Sequence, residues 1–320
     1  MKNHRKVHQC CFTLTDERQV VNAALLHILF SQQEEKMGTI IFSPWEYEMK
    51  PFQITDNLWY VGNKDVAVHV LDTHSGLILF DTGYPQTAYL LLESIREAGF
   101  DPHDIKYILH THMHYDHIGA TRRLVEKYGC KTFVGRGDAD FLTEKTELLW
   151  HREYGAAYHE YFHPDVLLDD EDIVELGDSK IRCIAAPGHT PGTMCYFFET
   201  EYKGERYTAA LHGGLGLNTL LSEYMGKHGI TGWREAYRET IEKLRPFRVD
   251  ITLGAHPVFN AAFEKNAKKT NDFNPFIDSG EWQIMLSDAR ARYEDLIRKD
   301  PLDHFFPGVY SRLNQRMNSS

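Results

Sequence analysis

Four side chains with the chemistry of metal ligands crowd into six residues: His112, His114, Asp116 and His117, inside the stretch Ile108-Leu109-His110-Thr111-His112-Met113-His114-Tyr115-Asp116-His117-Ile118-Gly119. Imidazole and carboxylate are the donors that a borderline-soft divalent ion such as Zn²⁺ prefers. Two imidazoles one residue apart on extended backbone project to the same side and can share one ion. Asp116 and His117, where the chain turns, can face a second. Left unpaired, such a cluster is a poor surface and a worse core, because buried polar groups need partners or a metal.

The elements that must hold this cluster follow from periodicity. Residues 106–110 read as a buried strand and 118–128 as a helix stopped by Gly129, which puts the cluster at a strand-to-helix corner. Before it come β runs at 58–61, 66–71 and 77–80, the last two joined by a turn at 73–76. The third run ends in Asp81-Thr82-Gly83 ahead of a helix at 87–98, so Asp81 reads either as a turn-former or as an acid facing a ligand from a strand's carboxyl end. After the cluster, 130–134 is a strand. Residues 137–164, rich in aromatics and histidine without a clean period, read as a lid or pocket wall, or as a helical pair closing the core. A hairpin over 171–176 and 180–186 leads into Pro187-Gly188-His189-Thr190-Pro191-Gly192-Thr193, a histidine in a stiff loop between strands. Strands at 194–199 and 206–211 follow, the second running into His212. An amphipathic helix at 231–244 precedes a strand at 249–254, with His256-Pro257 at its end. Trp282, Met285, Leu286, Ala289, Tyr293, Leu296 and Ile297 then keep the three-four spacing of a closing helix. Alternating β runs and helices, with ligand candidates at strand ends, fit an α+β sandwich of two sheets with helices on both outer faces.

Composition bounds the rest. At 320 residues, 42% hydrophobic and 25% charged, the chain is ordinary globular material. A net charge of -11 without a basic stripe argues against nucleic acid as a partner. Five cysteines at unrelated spacings give neither a disulfide framework nor a zinc knuckle, and a reducing compartment is the simpler reading. No signal peptide is apparent, and the longest apolar run, 20–30, is interrupted by Asn22 and His27 and falls short of the roughly 20 residues of a membrane span. A cytoplasmic protein with no membrane partner is expected. Residues 1–50 read as an extension with one helix over 16–36 and residues 51–320 as the main domain. The helix presents Val20, Val21, Leu25, Ile28, Leu29 and Phe30, a face expected to pack across a two-fold onto a second copy as a homodimer.

The motif His112-x-His114-x-Asp116-His117 resembles the signature of the metallo-β-lactamase superfamily, and the resemblance runs over about residues 52–300. It implies the αββα fold and two Zn²⁺ per chain. His112, His114 and His189 would hold the first ion, and Asp116, His117 and His256 the second. Asp-Thr-Gly at Asp81 is similar to the family's acid that orients a metal histidine from behind. Many members carry a metal-bridging aspartate where this chain has His212-Gly213-Gly214-Leu215-Gly216. That departure, with Asn274-Pro275-Phe276, resembles the β-lactamase subclass built from histidines and one aspartate, without a cysteine ligand. His212 is expected behind the ligands, since a histidine at a strand end more often supports a site or the fold than serves as an extra ligand, the alternative here. Related di-iron flavoproteins typically use an acid where His114 stands, so zinc is favoured over iron. The expected function is zinc-dependent hydrolysis of a small molecule, with hydroxide attacking the carbonyl of a β-lactam-like cyclic amide and with Asp116, His112, His114 and His117 carrying the chemistry. A lactonase or thioesterase acting on an intracellular ester is the alternative, a non-catalytic metal-binding scaffold is another, and a nuclease is disfavoured by charge and by the missing bridge.

Overall fold

Short apolar runs bounded by turns pair in chain order into a seven-stranded sheet: β1 (Phe52–Gln53), β2 (Leu58–Tyr60), β3 (His69–Asp72), β4 (Leu77–Phe80), β5 (Ile105–Leu109), β6 (Lys131–Gly135) and β7 (Val166–Leu168). The first four are antiparallel and β4 to β7 are parallel. Parallel neighbours need crossovers. Two of these contain helices, α1 (Ala88–Glu97) between β4 and β5, and α2 (Tyr115–Ile118) with α3 (Thr121–Tyr128) between β5 and β6. A second sheet of five strands holds β8 (Asp172–Leu176), β9 (Ser179–Ala185), β10 (Met194–Tyr202), β11 (Glu205–His212) and β12 (Ile251–Gly254), in the order β12-β11-β10-β9-β8. The structure is a computed structural model and describes residues 40–157 and 159–302. The expected helix at 16–36 lies outside the described residues.

The period of two along each strand divides the apolar side chains into layers. Met194, Tyr196 and Phe198 of β10 meet Phe80, Leu109 and Phe133 of the other sheet in the inner core. Their neighbours Cys195 and Phe197 point the other way, against Ile241 and Leu244 of α5 (Trp233–Leu244) and Trp282 and Leu286 of α7 (Glu281–Lys299). Two shorter helices, α4 (Ser222–His228) and α6 (Ala262–Lys268), flank these. On the far side, Leu77, Leu79 and Ile108 pack on Ala88, Leu91 and Ile95 of α1 and Leu124 of α3. The layers are therefore helix, sheet, sheet, helix, as expected. The cysteines Cys130, Cys183 and Cys195 are buried and unbridged. Among the described residues no helix is long and apolar enough to cross a membrane.

Two local expectations change. The helix read as continuous over 118–128 is two pieces, because Gly119 donates its N–H to Gly83 O at 2.8 Å and Ala120 donates to Thr82 Oγ1 at 3.2 Å, pulling the chain out of helical pairing. Among the described residues of 136–164 the regular structure is two single-turn 3₁₀ segments, Arg136–Asp138 and Thr146–Leu149, so the alternative of a helical pair does not hold.

Candidate metal centre

All six predicted ligands come together at one edge of the sandwich, at the carboxyl ends of β5 and β12 and in the β9–β10 loop. Beyond Leu109 the backbone is still extended at His114 (ψ 152°), which lets His112 and His114 face the same side, and the short α2 then turns Asp116 and His117 inward. These four come from the seven-stranded sheet. His189 in the loop between β9 and β10, and His256 just past β12, reach in from the five-stranded sheet.

Two trios form. His114 Nδ1 lies 3.1 Å from His112 Nε2 and 3.1 Å from His189 Nε2. Asp116 Oδ2 lies 3.3 Å from His117 Nε2 and 3.5 Å from His256 Nε2. Within each trio the candidate ligand atoms all fall within 4.8 Å of one another. The trios adjoin, with the His112 and His117 rings 4.1 Å apart between centroids. Burial drives His112 and His114 well below the ordinary imidazole range and His189 down to about 4, which favours the uncharged rings that a metal ligand requires. Imidazole nitrogens converging this closely, with one carboxylate in the adjoining trio, make a donor set that could hold a metal and suits Zn²⁺. At His117 burial also opposes the charge, but the carboxylates of Asp116 and Asp81 outweigh it and raise the imidazole to about 10.

Behind the trios, the second ring nitrogen of each outer histidine is tied down. His189 Nδ1 donates to Gly216 O at 2.9 Å, and His256 Nδ1 donates to Asp65 O at 2.7 Å. The His189 ring lies so close to the loop after β11 that a Cβ on Gly214 would come within 2.7 Å of it. Asp81 sits at the end of β4 with φ 62°, a left-handed conformation that Asp tolerates better than most residues. One of its oxygens accepts from Thr111 N at 2.7 Å, and the other from Thr111 Oγ1 at 2.7 Å and His117 Nδ1 at 2.8 Å. Thr111 Oγ1 in turn lies 3.0 Å from His112 Nδ1, so the carboxylate reaches both trios. Burial would raise Asp81, but His117 and His110 hold it at about 2. His212, at the end of β11, is buried and belongs to neither trio. Its Nδ1 accepts from Gly214 N at 3.3 Å, its Nε2 has no partner, and burial lowers it to about 3.

Three residues near the site were not singled out as site residues by the sequence reading. Asp65 holds His256 through its carbonyl. Tyr154, one aromatic among many in 137–164, donates its hydroxyl to Asp116 Oδ2 at 3.1 Å. Asp138 ends the 3₁₀ turn Arg136–Asp138 after β6, a place that no spacing in the sequence marked. Burial raises its carboxyl to about 7, so its ionisation depends on the hydrogen bonds from Thr190, Gly192 and Met113 that pull the other way.

Residues 61–201 match the family described as the metallo-beta-lactamase superfamily. The fold overlays that of BJP-1, a subclass B3 metallo-beta-lactamase of Bradyrhizobium japonicum, with a TM-score of 0.72 and 29% identity, over 80% of this chain and 97% of that one. The chain belongs to the metallo-β-lactamase superfamily. Among curated relatives, a hydroxyacylglutathione hydrolase of Pelagibacter ubique is 34% identical over 97 residues, 30% of this chain and 33% of that protein. An N-acyl homoserine lactonase of Bacillus thuringiensis is 26% identical over 171 residues, 44% of this chain and 61% of that protein. The chain thus spans between a third and about three fifths of the length of these curated relatives.

Proposed function

We propose that this chain is a binuclear zinc hydrolase opening a strained cyclic amide of the β-lactam type. His112, His114 and His189 would hold one ion, and Asp116, His117 and His256 the other. The observation carrying the reading is the donor set: five histidines and one aspartate, with a glycine loop at 213–216 in place of a bridging acid, and with Gly216 O spent on orienting His189. The likeness to a subclass B3 enzyme over nearly its whole length supports the same reading. When bound, such ions acidify water and polarise a carbonyl.

The chain's own residues do the rest. Asp116 is the one carboxylate in the two trios and can accept a hydrogen bond from the attacking water. Tyr154, donating to that carboxylate, holds it in place and brings a phenol to the rim. Access is over His256, whose side chain is 24% exposed against 4% for Asp116 and 0% for His117. Trp150 walls the other trio, its ring 5.7 Å from His114. The lactonase and the hydroxyacylglutathione hydrolase support a second reading, with an ester or thioester as substrate.

Steady-state hydrolysis of a cephalosporin, an N-acyl homoserine lactone, a hydroxyacylglutathione thioester and bis-p-nitrophenyl phosphate, measured side by side with and without chelator, tests this. The highest kcat/KM is expected for the cephalosporin. Preference for lactone or thioester would move the assignment to the second reading, and cleavage of the phosphodiester to a nuclease. Zinc-loaded protein inert to the whole panel would make the site a metal-binding scaffold.

A further inference from the structure

The two loops that supply the first trio come from different sheets, and a single carboxylate accepts hydrogen bonds from both. Asp138 is fully buried. Its Oδ2 accepts the backbone N–H of Met113, between His112 and His114, at 3.1 Å and the hydroxyl of Thr190, next to His189, at 2.7 Å. Its Oδ1 accepts the N–H of Gly192 at 2.6 Å, and Thr190 Oγ1 is also 2.8 Å from Thr193 Oγ1, which closes the His189 loop on itself. Backbone packing leaves no slack around these bonds. A Cβ on Gly192 would lie 2.4 Å from Asp138 N and 2.7 Å from Gly135 O, so the loop can approach the end of β6 this closely only as glycine.

We infer that Asp138 is the positioning residue of the His112, His114 and His189 trio, fixing the two loops at the separation at which the three imidazoles can share one ion. It touches none of the three rings. Its effect passes through Met113, Thr190 and Gly192 to the backbone that carries the ligands, and the second trio, seated on α2 and the end of β12, receives no such bond from it. Groups of this kind, one layer behind a metal, typically change affinity by about 10 to 100-fold when removed. The inference rests on the reading of the two trios as metal sites but not on the substrate.

The test is zinc affinity of the full-length chain, read by competition with a chromophoric chelator, for Asp138→Asn alone and combined with His189→Ala or His256→Ala. Asn keeps the shape but turns an amide group toward donors. Asp138→Asn should weaken one of the two zinc sites about 10 to 100-fold and leave the other within about two-fold. Combined with His189→Ala it should add nothing to the remaining site, whereas combined with His256→Ala it should weaken the one site left, because only residues sharing a site couple. Thr190→Val, which removes one donor and leaves the carboxylate, should weaken the same site by less, and it serves if Asp138→Asn does not fold. Equal losses at both sites, or unchanged affinities in a folded variant, would overturn the inference. A wild-type chain that takes up no zinc would overturn the metal-site reading on which it rests.

Discussion

Asp81 shows how much a single charge is asked to do at this site. Its carboxylate takes three hydrogen bonds in a left-handed backbone conformation, and Asn tolerates that conformation about as well. Asp81→Asn therefore isolates the charge from the turn. The variant should fold normally and lose about 10 to 100-fold in zinc affinity or activity, checked by chelator competition and circular dichroism. An unchanged rate with unchanged zinc content would reduce Asp81 to a turn-former. His212 makes the opposite point, as a buried base kept neutral. Burial puts its folded pKa at about 3, below the ordinary value near 6.5. Between those two values the unfolded chain binds a proton that the folded chain refuses, so stability falls as pH falls, by about 1.4 kcal/mol per pH unit for such a group. His212→Asn retains an acceptor for Gly214 N but cannot titrate. Its unfolding free energy, measured in urea between pH 6 and 4, should fall less steeply than that of the wild type by about that amount, and equal slopes would mean that His212 charges in the folded state.

At the scale of elements, what could be read in advance was what repeats locally. The strand ends carrying His112, His189 and His256 and the helix stopped at Gly129 follow from apolar period and punctuation, because a strand or helix face is set by residues a few positions apart. The break at Gly119 does not, since its cause lies some 35 residues away in chain order: a Cβ there would sit 2.1 Å from Pro85 N, in the turn after β4. Likewise the aromatics of 137–164 announce a wall near the site, but only the tertiary fold decides that Tyr154 is the one whose hydroxyl reaches Asp116. Asp138 stayed hidden for the same reason, its three donors arriving from two other loops. Gly119→Ala should accordingly be far from conservative, despite the better helix propensity of alanine. Overpacking of about 1 to 3 kcal/mol is expected, because the clash is with backbone and a proline ring, and neither can swing aside. Since α2 bears Asp116 and His117, activity should fall with stability. A Gly119→Ala variant with wild-type melting temperature would show that the turn at Pro85 yields freely.

Across the whole molecule, the two trios share one design: each takes two ligands from the end of β5 and its following turn and one from the five-stranded sheet. Metal bound at either trio would therefore join the two sheets at the edge where the inner core of Phe80, Leu109, Tyr196 and Leu253 ends. Ligands that bind only the folded chain stabilise it by about 2.7 kcal/mol per site when present at 100 times their dissociation constant. Two sites under those conditions contribute about 5 kcal/mol, and for a domain of this size about 1 kcal/mol moves the melting temperature by 2 to 4 °C. The chain loaded with zinc should hold close to two ions by elemental analysis, and stripping it with chelator should lower its melting temperature by about 10 to 20 °C. The double variant His112→Ala/His117→Ala, with a ligand removed from each trio, should melt at the same temperature with and without zinc. A wild-type shift of only a degree or two under saturating zinc would mean that the trios do not couple metal binding to the closure of the sandwich, and the six-ligand assignment would fall with it.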